Sequence, residues 1–236
     1  MEWDRFEAVL FDLDGVVTPT AEVHMRAWSL MFNDFLETRE GQAAYTDADY
    51  FAYVDGKPRY EGVASFLGSR GLDVPYGDPG DPPDAETVCG LGNRKNDAFG
   101  RVLRDDGVTA YPGSVALLDA LARRGVPMAI VSSSRNAPDV LAAAGVTHYF
   151  ATVMHGGVAE ERGLPGKPAP DTFVAAAADL GVAPARAVVL EDAISGVRAG
   201  AAGGFALVVG VDRGVGEVAL REAGAALVVT DLGELL

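Results

Sequence analysis

The chain has one cysteine, Cys89, among its 236 residues. A single thiol closes no intrachain disulfide and builds no cysteine-based zinc site; it fits a reducing compartment. Basic residues are scarce as well. Lys and Arg total 19 against 34 Asp and Glu, a formal net charge of −15. So acidic a chain is a poor match for nucleic-acid phosphates, and it lacks the basic clusters that hold proteins on anionic lipid. Long apolar runs are missing too: none approaches the ~18 residues that a bilayer span needs. The opening stretch, MEWDRFEAVLFDLDG, is charged from its second residue and does not read as a secretory signal. The expectation is a cytoplasmic, monomeric protein that works without nucleic acid or membrane. What the chain does have is 49% hydrophobic residues, enough to bury a sizeable core.

Those apolar residues fall in short β-branched runs, each ended by a polar or glycine-rich break. The runs are 8–11, 127–131, 152–154, 187–190, 205–209 and 226–229. Unbroken apolar strands point to burial on both faces, as in a parallel sheet. Helical patterns over 113–124, 139–144, 171–180 and 195–202 lie between them, each followed by a glycine suited to a helix end. This alternation predicts a doubly wound, Rossmann-like α/β core. Residues 18–104 break it with amphipathic helices near 21–36, 60–69 and 85–103 and a turn-rich piece at 73–84. The spacing therefore predicts a core domain over 1–17 and 105–236, with a helical domain inserted over 18–104.

Four breaks carry chemistry. The first run ends in Asp12-Leu13-Asp14-Gly15, two carboxylates where a buried strand opens into a loop. A calcium loop would need Glu at its twelfth position, where Val23 stands, and a helix rather than a strand before it. A solvated turn is the other reading. The second run ends in Ser132-Ser133-Ser134-Arg135-Asn136, whose hydroxyls and amides suit a phosphate or an ordinary helix cap. Lys167, in Gly166-Lys167-Pro168-Ala169-Pro170-Asp171, stands beside a helix start and suits an anion, unless it simply faces solvent. The fourth run ends in Glu191-Asp192, which suits a hard cation such as Mg²⁺, or lets Asp192 cap the next helix.

Acid pair, hydroxyl, lysine and acid pair, in that order and at strand ends or adjoining loops, resemble the haloacid dehalogenase superfamily of phosphotransferases. The resemblance spans the chain and places the helical insertion where a cap domain follows the first motif. Within the superfamily, Thr20-Ala21-Glu22-Val23-His24-Met25-Arg26-Ala27-Trp28 is similar to the first cap helix of the β-phosphoglucomutase group. So are Val54-Asp55-Gly56-Lys57-Pro58-Arg59, Arg94-Lys95-Asn96-Asp97 and the Ser132–Asn136 string. Pro19 stands where the group has Asp, and the cap is longer around 40–53 and 76–84, which concerns the sugar more than the chemistry.

The resemblance implies a phosphotransferase that works through an aspartyl-phosphate. Asp12 would be the nucleophile and Asp14 the general acid and base. Mg²⁺ would be held by Asp12, Asp14 through its backbone carbonyl, and Asp192, with Glu191 supporting or binding it. Ser132, Ser133 and Lys167 would hold the transferring phosphoryl group. His24, Arg59, Lys95, Ser134, Arg135 and Asn136 would bind substrate, His24 by meeting Asp14 on cap closure and Arg59 by taking a second phosphate. A surface Arg59 paired with Glu61 is the alternative for that residue. The implied reaction interconverts β-glucose 1-phosphate and glucose 6-phosphate through glucose 1,6-bisphosphate; a sugar-phosphate phosphatase with the same nucleophile is the other outcome. Trp28 and Cys89 are expected to be packed core.

Overall fold

The computed structural model describes residues 1–236, apart from the side chains of Ala21 and Asp106. Ala21 belongs to the first cap-helix string, so that one side chain of the string lies outside the described residues. The chain divides into two compact units, Met1–Thr20 with Val108–Leu236, and Ala21–Gly107.

The larger unit is built on strands β1 (Ala8–Phe11), β2 (Met128–Val131), β3 (Thr152–Met154), β4 (Ala187–Glu191), β5 (Leu207–Val211) and β6 (Leu227–Val229). They pair in parallel in the order β3-β2-β1-β4-β5-β6. Every residue of β1, β2 and β4 is buried, because helices cover both faces of the sheet. On one face Ala8, Leu10, Ala129, Val131 and Val189 pack with Phe173, Ala176 and Val197. Those last three come from helices α8 (Asp171–Asp179) and α9 (Ile194–Ala202). Each fully buried Val, Leu or Phe contributes roughly 1.5–3 kcal/mol.

Strand β5 begins two residues later than its apolar run predicts. The Ala206 N–H donates to Pro184 and Ala187 carbonyls, while the Phe205 ring turns to Phe173 at 6.0 Å and fills the core outside the ladder. Helices α7 (Gly156–Glu161) and α10 (Glu217–Ala223) have no counterpart in the sequence pattern. Strand order reverses between β1 and β4, where β1 is followed by β2 on one side and β4 lies on the other. The carboxyl ends of those two strands border the crevice in which such sheets bind ligands.

The smaller unit contains helices α1 (Thr20–Glu37), α2 (Asp47–Asp49), α3 (Arg59–Ser69) and α4 (Val88–Asp106). In α1, Trp28, Met31, Phe32, Phe35 and Leu36 recur at helical spacing and form its buried stripe. The Phe32 ring meets Phe66 of α3 at 4.2 Å and Tyr45 at 4.9 Å, making an aromatic centre. The stretch from 40 to 53 adds Tyr45 and Tyr50 to this core, while most of its other residues are exposed. Asp47–Asp49 runs into a π-helical turn, Tyr50–Val54, which contributes Tyr50 and Val54 to it. Trp28 and Cys89 are both buried, and burial raises the Cys89 thiol pKa. No helix among the described residues is long and apolar enough to cross a membrane.

Candidate active site

At the end of β1, Asp12 is tied to β4 by its N–H, which donates to the Leu190 carbonyl at 2.9 Å. Its Oδ1 lies 2.5 Å from Lys167 Nζ. The ammonium also reaches Glu191 Oε1 at 2.6 Å and the Val131 carbonyl at 2.9 Å. It is thus shared by the ends of β1, β2 and β4. Asp12, Lys167 and Glu191 are all buried, which removes both the solvated turn and the solvent-facing lysine. Burial alone would lower the Lys167 pKa, but the two carboxylates beside it raise it, so the ammonium keeps its proton. Burial pushes the Asp12 carboxyl well above its ordinary value, with Glu191 and Asp14 adding to the rise and Lys167 opposing it.

Glu191 uses its second oxygen as well: Oε2 accepts from the Ala193 N–H at 2.7 Å. The N-cap position of α9 belongs to Ala193 rather than to the adjacent Asp192. The Asp192 carboxylate instead lies against the first loop. A Cβ placed on Gly15 would fall 2.0 Å from Asp192 Oδ2, and Gly15 has a φ of +83°. Only glycine suits that backbone and that approach together.

The loop carrying Asp14 is pinned along its length. The Gly15 N–H donates to the Thr18 carbonyl at 2.7 Å and the Tyr111 N–H to the Val17 carbonyl at 2.9 Å. Ser114 Oγ, on helix α5 (Pro112–Arg123), donates to the Val16 carbonyl at 2.7 Å and Arg213 Nε to the Gly15 carbonyl at 2.7 Å. The Thr20 hydroxyl donates to Asp14 Oδ1 and lies 2.8 Å from Thr18 Oγ1.

The loop after β2 folds on itself. Ser132 Oγ accepts from the Ser134 N–H at 3.1 Å, and Ser134 Oγ accepts from the Asn136 N–H at 3.2 Å. Ser132 is buried, and its N–H bonds the Met154 carbonyl at 2.9 Å. Asn136 occupies the N-cap position of α6 (Ala137–Ala143), but its side chain does not make the capping bond. Ser133 presses its carbonyl against α7, where a Cβ on Gly156 would come within 2.4 Å of it. Arg135 is exposed and pairs with Glu160 of α7.

The remaining predicted site residues belong to the other unit. Lys95 of α4 is buried, with Nζ 2.5 Å from His24 Nδ1 and 5.0 Å from the centroids of the Trp28 and Phe99 rings. The His24 ring stacks on Phe99 at 4.1 Å. Arg59 opens α3 and donates to Asn93 Oδ1 at 3.2 Å and Asn96 Oδ1 at 2.9 Å, both on α4.

Three contributors escaped the sequence reading: Thr20 as the partner of Asp14, Arg213 as the clamp on Gly15, and Asn93 as a partner of Arg59. Thr20 opens α1, the first helix of the smaller unit, and nothing in its local pattern marks it as a partner of Asp14. Arg213 is 198 positions from Gly15, and no local pattern announces such a contact.

The donor set suits a hard divalent cation. Asp12, Asp14, Glu191 and Asp192 bring more negative charge than Lys167 offsets, and Glu191 has both oxygens engaged. No group of three His, Cys, Asp or Glu side chains among the described residues forms a ready-made metal cage. Mg²⁺ does not ask for one, since it binds through one or two carboxylates and completes its shell with water and substrate phosphate.

A parallel sheet whose reversal point holds an acid pair, a buried lysine and a second acid pair is the arrangement of an α/β enzyme with a charged site at its strand ends. The chain belongs to the haloacid dehalogenase-like hydrolases, whose family model matches residues 6–204. Within that family it is a β-phosphoglucomutase-like enzyme. It is 49% identical to the β-phosphoglucomutase of Mycobacterium bovis, across 99% of this chain and 92% of that one. It is also 29% identical to hexitol phosphatase A of Escherichia coli, across 85% of this chain and 81% of that one. The crystal structure of β-phosphoglucomutase from Clostridium difficile superposes with a TM-score of 0.81 at 25% identity, covering 98% of this chain and 93% of that one.

Proposed function

We propose that the chain is a β-phosphoglucomutase, interconverting β-glucose 1-phosphate and glucose 6-phosphate through an aspartyl-phosphate on Asp12. The observation that carries the reading is the Asp12–Lys167–Glu191 cluster at the strand reversal, in a chain 49% identical along nearly its whole length to a β-phosphoglucomutase. Asp12 attacks phosphorus through the carboxylate at the end of β1. Lys167, kept charged by its two carboxylates, stabilises the phosphoryl oxygens, and Ser132 donates a hydroxyl to them. Asp14 donates the proton that the leaving oxygen takes and later removes one from the acceptor hydroxyl. The Thr20 hydroxyl holds the Asp14 side chain for that task.

Asp12, Asp192 and the backbone carbonyl of Asp14 would hold Mg²⁺, with Glu191 orienting Lys167. The ion, when bound, supplies positive charge that lets a carboxylate approach an anionic phosphoryl group. A mutase must also bind a second phosphate, the one not being transferred. Arg59 offers a guanidinium for it, and the amides at the start of α3 offer further donors. The partner is a small sugar phosphate, and glucose 1,6-bisphosphate is the activating intermediate.

The test supplies β-glucose 1-phosphate, Mg²⁺ and trace glucose 1,6-bisphosphate, and follows glucose 6-phosphate and free phosphate together. Glucose 6-phosphate accumulating far ahead of free phosphate is the expected result. Free phosphate released in step with substrate loss overturns it in favour of a phosphatase.

A further inference from the structure

Two features of the smaller unit have no role so far: the long turn-rich segment at 76–84 and the polar face of α4 beneath Arg59. They meet at Asn93. Its Nδ2 donates to the Pro79 carbonyl at 3.1 Å and to the Asp81 carbonyl at 2.8 Å. Two carbonyl acceptors on the nitrogen side define the amide's orientation, since an amide oxygen placed there would face two other oxygens. Oδ1 is thereby turned toward α3, where it accepts from Tyr60 OH at 3.0 Å and from Arg59 at 3.2 Å.

The segment that orients Asn93 is itself firmly folded, although it contains no regular element. Asp81 Oδ2 accepts from Thr87 Oγ1 at 2.6 Å and from the Asp78 N–H at 3.1 Å, and Asp78 Oδ1 accepts from the Gly80 N–H at 2.8 Å. Backbone bonds from Val88 to Pro75 (2.9 Å) and from Cys89 to Tyr76 (3.0 Å) tie it to the start of α4. On the helix, Gly92 leaves room for the arginine: a Cβ there would lie 2.8 Å from the Tyr60 ring and 3.1 Å from Arg59 Cδ. The guanidinium stands 5.7 Å from the Tyr60 ring centroid, and Asn96 takes its other arm.

We infer that Asn93 is a positioning residue for Arg59, and that the 76–84 segment serves the sugar-phosphate site by fixing the Asn93 amide. Asn93 and Asn96 orient the guanidinium through neutral oxygens, which aim the cation without cancelling its charge. A carboxylate in the place of Asn93 would aim it and neutralise it at once. The ligand class is a sugar bisphosphate, bound through the phosphate that is not being transferred. This inference rests on the reading of Arg59 as a second-phosphate residue.

The experiment measures phosphorylation of Asp12 by two donors, glucose 1,6-bisphosphate and acetyl phosphate; the second carries no other phosphate. Asn93→Asp should lower kcat/KM for the bisphosphate by about tenfold or more, the scale of one charge-assisted bond, mainly through KM. Acetyl phosphate should respond within about twofold, the scale of a change outside the reacting centre. Gly92→Ala, which displaces Arg59 from the other side, should give the same signature and decides the matter if Asn93→Asp does not fold. Added to Arg59→Ala, Asn93→Asp should cause no further selective loss. Equal losses with both donors, or a selective loss that persists without Arg59, overturns the inference. Arg59→Ala without a selective loss overturns the second-phosphate reading itself. A selective loss for Arg59→Ala but not for Asn93→Asp and Gly92→Ala overturns only the role of Asn93.

Discussion

Lys167 and Asp12 are 155 positions apart in the chain, yet their charged atoms lie 2.5 Å apart with both side chains almost wholly enclosed. The lysine is a shared counter-ion, because Glu191 approaches it from β4 at 2.6 Å. Removing one member of such a buried set leaves the others uncompensated.

Lys167→Met should therefore damage both stability and chemistry. Without the ammonium, Asp12 and Glu191 face each other as buried like charges, and about 3–5 kcal/mol of stability is at stake unless one takes up a proton. Phosphorylation of Asp12 should fall on the order of 10²-fold or more, since a preorganised donor to the phosphoryl oxygens is lost. Denaturant melts and single-turnover phosphorylation measure the two effects. A variant with wild-type stability and rate would contradict the shared counter-ion.

Gly15→Ala should abolish activity while changing one methyl group. The new Cβ would fall 2.0 Å from Asp192 Oδ2, at a φ of +83° that alanine adopts only with strain. The Asp192 carboxylate has to move, and the acid pair at the end of β4 is broken. The folded state should survive, with a stability cost of about 1–3 kcal/mol. Near-wild-type turnover in a folded Gly15→Ala protein would show that the close approach of these two loops is dispensable.

Removal of divalent cations should silence phosphoryl transfer, and Mg²⁺ should restore it. Burial, Glu191 and Asp14 all push the Asp12 carboxyl toward its protonated form, which is no nucleophile. A cation at the carboxylates would reverse that preference. Activity is measured after exhaustive chelation and again after addition of Mg²⁺ or of a monovalent salt. Turnover that survives chelation would exclude the metal-dependent reading.

His155 should lend stability that fades in acid. Its Nδ1 accepts from the Gly157 N–H at 3.2 Å at the start of α7, a role only the neutral ring can fill. Burial, and after it the nearby Arg135, lowers its pKa below 6.5. The unfolded state therefore binds the proton more readily than the folded one. The contribution is fully present above about pH 6.5 and is lost as pH falls toward the lower folded value. NMR titration of the ring should give a pKa below 6.5, and His155→Asn should flatten this part of the stability profile. A ring titrating at or above the free value would contradict the assignment.

Much of this molecule could be read locally. The runs at 8–11, 152–154 and 187–190 became strands within a residue of their limits, because unbroken β-branched stretches bury well on both sheet faces. The positions of Asp12, Asp14 and the Glu191-Asp192 pair at strand ends and in adjoining loops followed directly from those limits, whereas Lys167 lies in the loop between α7 and α8 and reaches the strand ends only through the fold. Elements without a long period were not legible in this way. The run at 205–209 was apolar enough for a strand, but Phe205 was claimed by the core beside Phe173 and the ladder began at Leu207.

What the sequence determined by itself was the alternation of strand and helix and the kinds of residue that end each strand, since both are written in neighbouring positions. What only the tertiary structure decided was which of those residues touch. Glu191 meets Lys167 with one oxygen and the Ala193 N–H with the other, Arg213 holds the Gly15 carbonyl, and Asn93 turns its amide toward Arg59. Contacts of this kind depend on how strands order themselves in the sheet and how helices seat against one another. That outcome is set by packing over the whole unit, and no local window of the chain contains it.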